Sequence, residues 1–170
     1  MTPIIQRTTL RRAGWALIFL SSLIPISWAA EEGFKPIFNG NDLSGWDGDP
    51  RYWTVKDGAI TGQTTDENPA THNTFLIWRQ GEVDDFELRL SFRVVNGNSG
   101  IQYRSHEVEK WVVGGYQADI ESGVQFMGCC YDEHGRGMLA ERGQKTVIGA
   151  DGQKQSETVG DKARLLSSIH

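Results

Sequence analysis

Short segments in which apolar and polar residues alternate constrain the fold of this 170-residue chain more than any other feature. In the most regular one, Phe86 to Val94, five apolar residues alternate with four polar or charged ones. Shorter alternating segments begin at Ile101 and at Tyr116, each just after a turn that contains glycine. Because successive side chains of a β-strand point to opposite faces, this pattern predicts antiparallel strands with one packed face and one polar face.

Turn residues separate these segments along most of the chain. Lys56-Asp57-Gly58 lies between two β-prone runs and predicts a hairpin. We also expect short strands over Phe34–Phe38 and Thr74–Trp78, a loop-rich region after Gly123, and a mobile polar segment over residues 154–162. Since no window shows a helical period over several turns, the predicted fold is an all-β sandwich or jelly roll.

The first 30 residues have the pattern of a secretory signal peptide. Three arginines within residues 7–12 precede an apolar run over Ala13–Ile26, and Ser27-Trp28-Ala29 fits a cleavage site. We therefore expect a signal peptide over residues 1–30, a single domain over residues 31–170, and a secreted or periplasmic protein without a membrane span after cleavage. The alternative is an uncleaved membrane anchor, which two serines and a proline within the apolar run disfavour.

Cleavage at this site would leave 14 basic and 22 acidic residues, a net charge of −8. An acidic chain without a basic cluster is a poor candidate for binding nucleic acid. The two cysteines, Cys129 and Cys130, are adjacent. Neighbouring Cα atoms lie about 3.8 Å apart, below the roughly 4.4–6.8 Å of ordinary disulfides, so we expect two free thiols rather than a strained redox pair.

The two strands predicted at Ile101 and Tyr116 carry polar side chains on alternate positions. In the first strand these are Gln102 and Arg104, and in the second Gln117 and Asp119. If the strands share a sheet, their polar faces combine two amides, a guanidinium and a carboxylate. Fixed donors and acceptors of this kind suit the hydroxyl groups of a sugar.

Five motifs, in order along the chain, resemble those of the 3-keto-disaccharide hydrolase domain family. They are Phe38–Trp46, Trp53–Ile60, Asp85–Leu88, Asn98–Ile101 with Arg104, and Tyr131–Glu133 with Arg136-Gly137. The resemblance covers roughly Gly33 to Gly137. It implies a concanavalin A-like jelly roll with a sugar site on the concave sheet, and cleavage of glycosides whose sugar carries a ketone at carbon 3.

The chain departs from the family pattern in two places. Where the family has a glutamate and then a glutamine, this chain has Gln117 and Asp119. Family members also continue with further strands, whereas this sequence stops at His170. The resemblance therefore implies a jelly roll that is incomplete at its C-terminus.

Cleavage of a 3-keto-glycoside needs a base, a group that stabilises an enolate, and an acid for the leaving group. With the resemblance as a guide, we assign Asp119 as the base, Arg104 as the enolate stabiliser and Glu121 as the acid. Three histidines in loops are alternatives to these residues: His72, His106 and His134. The competing structural interpretation is that Arg104 and Asp119 form only a cross-strand ion pair.

Substrate binding is assigned to Gln102, Gln117, Asn98 and Trp111, the last as an aromatic ring that stacks on a sugar. No cofactor is predicted with certainty. A divalent metal stays an option, because several residues could supply oxygen or nitrogen ligands. No spacing among them is diagnostic of a metal site; they are His106, Glu107, Glu109, Asp119 and Asp132. Beside the enzyme, we keep two alternatives: a non-catalytic carbohydrate-binding module and a surface domain that binds protein. Two-carboxylate glycoside hydrolysis is the weaker enzymatic hypothesis, since Gln117 stands where an acidic series would begin.

Overall fold

The computed structural model describes residues 32–161 and 164–165, so the predicted signal peptide lies outside the described residues. The chain divides into two compact units, residues 1–35 and 36–170. Of the first unit only residues 32–35 are described, as a turn followed by irregular chain. Among the described residues, no helix is long and apolar enough to cross a membrane.

Ten strands, all within the second unit, form antiparallel sheets and confirm the predicted all-β class. Several antiparallel sheets of this kind are consistent with a β-sandwich jelly roll. In chain order the strands are β1 (Trp46–Asp47), β2 (Trp53–Lys56), β3 (Ala59–Gly62), β4 (Ile77–Trp78), β5 (Asn98–Glu109), β6 (Val112–Glu121), β7 (Cys130–Glu133), β8 (Gly137–Ala140), β9 (Gln144–Ile148) and β10 (Lys154–Thr158).

The largest sheet is a meander of β5, β6, β7 and β8, in which each strand pairs with the next along the chain. Its β5–β6 hairpin confirms the strands predicted at Ile101 and Tyr116, and both are longer than expected. Asn98 lies opposite Glu121, and Tyr103 lies opposite Tyr116. The register then shifts between Tyr103 and His106, where β5 has one more residue than β6.

Three two-stranded sheets complete the described structure: β2 with β3, β1 with β4, and β9 with β10. The β2–β3 hairpin confirms the turn predicted at Lys56-Asp57-Gly58. Asp57 and Gly58 both have positive φ, 51° and 74°, as the tight turn of a two-residue hairpin loop requires. Strand β4 confirms only the last two residues of the predicted strand Thr74–Trp78.

The buried apolar core of the described residues is small, and five of its six members lie on β6 or in the loop after it. Among the described residues its members are Tyr52, Val112, Val113, Ile120, Met127 and Cys129. Two of these are adjacent at the start of β6, so both faces of that strand are covered there.

The clearest strand of the sequence, Phe86–Val94, is not formed, and this prediction was wrong. The segment is irregular, and four of its five large apolar side chains are exposed, from 41% for Leu88 to 53% for Phe92. An alternating pattern favours a strand, but a strand also needs a neighbour to pair its N–H and C=O groups. None of the described strands pairs with this segment. The predicted strand Phe34–Phe38 is likewise irregular, and the Ile37 carbonyl accepts a hydrogen bond from the Trp46 indole at 2.8 Å instead.

The region after Gly123, predicted as loops, contains four strands. β7 is paired on both sides, by β6 and by β8, so its neighbours and not its own pattern make it a strand. The polar residues 154–158, predicted to be mobile, form β10 and pair with β9. Cross-strand contacts support that hairpin, including the Thr146 and Ser156 hydroxyls at 2.7 Å and the Lys145–Glu157 ion pair at 3.2 Å.

Candidate functional site

Four polar side chains form a hydrogen-bonded row across the β5–β6 hairpin. The Ser105 hydroxyl donates to Gln102 Oε1 at 2.9 Å, and Gln102 Nε2 donates to Gln117 Oε1 at 3.1 Å. Gln117 Nε2 then donates to Asp119 Oδ1 at 2.7 Å. We call Ser105, Gln102, Gln117 and Asp119 the amide row. The predicted proximity of Gln102, Gln117 and Asp119 is thus present in the structure, because Gln102 and Gln117 are register partners.

Asp119 is held in place by its backbone as well as by Gln117. Its N–H donates to the Cys129 carbonyl at 3.0 Å, and its own carbonyl accepts from Gly128 N–H at 3.0 Å. Burial raises the pKa of the Asp119 carboxyl, the Gln117 hydrogen bond opposes this rise, and the negative charges of Glu133 and Glu121 add to it. A half-buried carboxyl with a raised pKa, anchored through one oxygen, has the character of a general base.

Arg104 has different partners from those of Asp119. Its guanidinium donates to Asp84 Oδ1 at 3.0 Å and to Asp85 Oδ1 at 3.1 Å, so the cross-strand pair with Asp119 is not formed. Arg104 also has a positive φ of 47° and lies at the bulge between Tyr103 and His106. The period-two count that placed Arg104 beside Asp119 does not hold across such a bulge.

Arg104 instead lines a cleft of about 270 Å³, together with Tyr116, Asp132, His134 and Arg136 among others. Arg136 connects two of these residues, donating through Nε to Asp132 Oδ2 at 2.8 Å and through Nη2 to the Tyr116 hydroxyl at 3.0 Å. The Arg136 hydrogen bonds hold the pKa of the Asp132 carboxyl below its usual range. Tyr116 and Asp132 are register partners, so their side chains share a face, whereas Gln117 and Asp119 point to the other face.

Sequence reasoning did not identify this Tyr116–Arg136–Asp132 connection. The available signal was the i,i+4 spacing of Asp132 and Arg136 within one of the resembling motifs. The contact with Tyr116, 20 residues away, depends on the pairing of β6 with β7.

Glu121 and Asn98 lie at the end of the hairpin where Asp119 lies. Asn98 is exposed and opposite Glu121 in the register. Glu121 Oε1 accepts a hydrogen bond from Phe126 N–H at 2.5 Å, so one of its oxygens holds the loop that follows β6. That contact gives Glu121 a structural task in addition to its predicted role as an acid.

Trp111 lies at the opposite end of the hairpin, in the turn between β5 and β6, with a positive φ of 62°. Its indole N–H donates to Asp47 Oδ1 at 2.8 Å, and its backbone N–H donates to Glu107 Oε1 at 2.8 Å. At about 3.3 Å per residue, the seven residue-to-residue steps from Val112 to Asp119 span roughly 23 Å. The structure therefore does not bring Trp111 to the amide row.

Two of the carboxylates offered as metal ligands are engaged elsewhere. Glu107 pairs with Arg79 at 2.7 Å, and Asp132 pairs with Arg136. Within the described ranges, no group of three or more His, Cys, Asp or Glu side chains is arranged to hold a metal ion. Both cysteines are free thiols, as predicted, with Cys129 buried and Cys130 half-buried.

Comparison with protein families gives one match. Residues 33–163 match the family model described as the 3-keto-alpha-glucoside-1,2-lyase-like domain. The matched residues include the whole amide row and every described strand. Comparisons with curated proteins and with solved structures find no match to this chain.

Proposed function

We propose, from the premise that this chain belongs to the 3-keto-alpha-glucoside-1,2-lyase-like domain family, that it cleaves glycosides whose sugar carries a ketone at carbon 3. The family is named for a lyase-like activity on such sugars, and the match covers most of the chain. The substrate would be a 3-keto-disaccharide or related 3-keto-glycoside.

The chemistry follows from the ketone. A carbonyl at carbon 3 acidifies the hydrogen on carbon 2, and a base removes that proton. The electron pair of the C–H bond passes through an enolate and forms a double bond between carbons 1 and 2, while the glycosidic oxygen leaves carbon 1 and takes up a proton. Water can then add across the double bond, which completes a net hydrolysis.

We assign the base to Asp119, and the observation that carries this proposal is the environment of its carboxylate. Gln117 holds Oδ1 at 2.7 Å, and among the described residues nothing donates to Oδ2. A raised pKa makes the ionised carboxylate a stronger base than one at the protein surface, and general bases of this kind contribute typically ~10²–10⁴-fold to rate.

Arg104 as the enolate stabiliser stays a prediction, with two requirements. Its side chain lines the cleft beside Tyr116 and would have to reach the opposite face of the sheet, where Asp119 lies. Its guanidinium would have to exchange Asp84 and Asp85 for the substrate oxygen. Both of these side chains are almost fully exposed, 92% and 97%. Exposed ion pairs are worth about 0–1 kcal/mol, so such an exchange costs little.

Turnover of a 3-keto-disaccharide by the full chain, followed by release of free sugars, tests this function. We expect cleavage by the wild type, a loss of ~10²–10⁴-fold in kcat/KM for Asp119→Asn, and a wild-type rate for Asp66→Asn, which makes the same change in an exposed loop. The same disaccharide without the ketone should not react. Equal turnover in Asp119→Asn would remove this residue from the mechanism.

A substrate that carries deuterium at carbon 2 separates this mechanism from two-carboxylate hydrolysis. If the carbon 2 proton leaves during the slow step, the deuterated substrate reacts more slowly. If the protein binds the sugar with no turnover at all, the non-catalytic carbohydrate-binding module becomes the better assignment.

Export is part of the proposal, motivated by the arginines of residues 7–12 and the apolar run after them. N-terminal sequencing of the exported protein should begin near Glu31. A cytosolic protein that begins at Met1 would contradict this assignment.

A further inference from the structure

The three hydrogen bonds of the amide row run in one direction, from Ser105 to Asp119. Gln117 Oε1 accepts from Gln102 at 3.1 Å, so the Gln117 NH₂ group is directed to the Asp119 carboxylate. Gln102 is oriented in the same manner, because its own Oε1 accepts from Ser105 at 2.9 Å. An amide has a donor end and an acceptor end, so each bond in the row decides the orientation of the next.

Two glycines make room for the row. A Cβ on Gly100, which lies opposite Asp119, would overlap the Gln117 side chain and lie 2.7 Å from its Oε1. A Cβ on Gly115 would lie 2.5 Å from Ser105 Oγ. Real Cβ atoms do not approach other atoms this closely, so Gln117 and Ser105 occupy the volumes that side chains at these two positions would fill.

The orientation of Gln117 matters because of what the reverse orientation would do. If the Gln117 amide turned by half a rotation, it would present a carbonyl oxygen to an anionic carboxylate. Lone pairs would then face lone pairs in a half-buried setting, where unpaired polar groups are costly. Gln102 prevents this by donating to the acceptor end of Gln117.

We infer that Gln117 and Gln102 are positioning residues, which hold Oδ1 of Asp119 and leave Oδ2 directed to the substrate. This inference rests on the proposed function for its meaning in catalysis. Ser105 begins the row, although its single hydroxyl proton is shared between Gln102 Oε1 and the Tyr103 carbonyl, each at 2.9 Å. Ser105 is therefore the weakest member.

The predicted consequence is a change in the titration of Asp119. The Gln117 hydrogen bond lowers the pKa of this carboxyl, whereas burial and the charges of Glu133 and Glu121 raise it. Removing the donor therefore raises the pKa further, and the acid limb of kcat/KM moves to higher pH. The inference replaces the substrate-binding role expected of Gln102 with a positioning role, because both ends of its amide bond within the row. Loss of Gln102 should therefore lower kcat and leave KM nearly unchanged.

Carboxyl ¹³C NMR titration of the full chain tests the inference without requiring turnover. We expect the Asp119 pKa to rise in Gln117→Leu and to rise by less in Gln102→Met. Gln155→Met, a matched change on the exposed strand β10, should have no effect. Gly100→Ala should act like a weak Gln117→Leu, because its methyl group overlaps Cγ and Cδ of Gln117 and must displace that side chain, while it removes no polar group.

Kinetic measurements complete the test. Gln117→Leu should lower kcat about tenfold or more, by analogy with other partners that orient a reacting group. An unchanged Asp119 pKa in both glutamine variants would overturn the inference. If the Asp119 pKa shifts in the two variants but the wild-type protein does not cleave the sugar, the positioning role stands and the proposed function is overturned.

Discussion

The Trp111 indole N–H donates to Asp47 Oδ1 at 2.8 Å, joining residues 64 positions apart in the sequence. Through this contact the turn of the β5–β6 hairpin is tied to strand β1. Asp47 also accepts from Arg79, a residue next to β4, so two chain segments converge on one carboxylate. The Trp111 hydrogen bond and then the Arg79 one lower the pKa of Asp47.

Trp111→Phe should therefore destabilise the fold, by about 1 kcal/mol for a half-exposed hydrogen bond to a charged group. A carboxyl whose folded pKa is lowered contributes stability above its unfolded pKa, and loses it as the pH falls through the folded value. The difference in unfolding free energy between wild type and Trp111→Phe should then be present at pH 7 and shrink at pH 2–3. Urea denaturation at the two pH values measures it, and a difference that does not depend on pH would contradict the Asp47 contact.

Asp119→Asn should make the fold more stable at neutral pH while it removes activity. The folded pKa of Asp119 is raised, so ionisation is disfavoured in the folded state relative to the unfolded state. The resulting loss of unfolding free energy is complete at pH values above the pKa of Asp119 in the folded state. It is absent below the pKa of Asp119 in the unfolded state, where the carboxyl is protonated in both states. Thermal unfolding should show a higher Tm for the variant at pH 7 and equal values near pH 3. A lower Tm at pH 7 would show that the carboxylate is stabilising.

The exposed apolar segment over residues 83–95 should make the chain prone to association. Leu90 is 47% exposed and Phe92 is 53% exposed, in a stretch of high β-propensity whose backbone is not part of a described strand. Such segments pair with other chains. We expect Leu90→Lys to reduce light scattering at high concentration with little change in Tm, since it removes no buried contact. A wild-type protein that stays monomeric and melts sharply and reversibly would contradict this prediction.

The two adjacent cysteines should react at different rates. Cys129 is 3% exposed, whereas Cys130 is half-buried with its sulfur 3.5 Å from the Tyr103 hydroxyl. Alkylation without reductant should add two labels in denaturant, and under native conditions the first label should appear on Cys130. Absence of labels in denaturant would reveal a disulfide.

The contact between Tyr103 and Cys130, together with burial, raises the pKa of Tyr103 to about 12, so this tyrosine should ionise last in a spectrophotometric titration.

Features that depend on a few neighbouring residues were predictable from the sequence. The turn at Asp57-Gly58 needs two positive φ values, and this residue pair adopts them easily. The shared face of Gln117 and Asp119 follows from the two-residue period of a strand, which holds wherever the strand is regular.

Features that depend on distant partners were not predictable in this manner. Arg104 left the predicted face because a bulge interrupts the count, and the bulge is a property of two paired strands. Trp111 was expected near a sugar, but its partner is Asp47, far away in the sequence. Phe86–Val94 has the best strand pattern of the chain and is irregular, whereas Cys130–Glu133 has a weak pattern and is a strand.

The sequence by itself determined the β class, the turns, and the alternation that sets Gln102, Gln117 and Asp119 on one face. These properties arise from local backbone preferences and from the period of the strand. Only the tertiary structure decided which alternating segment became a strand, and which partners Arg104 and Trp111 have. Backbone hydrogen bonds between strands and long-range side-chain contacts are made only when the chain brings those partners together.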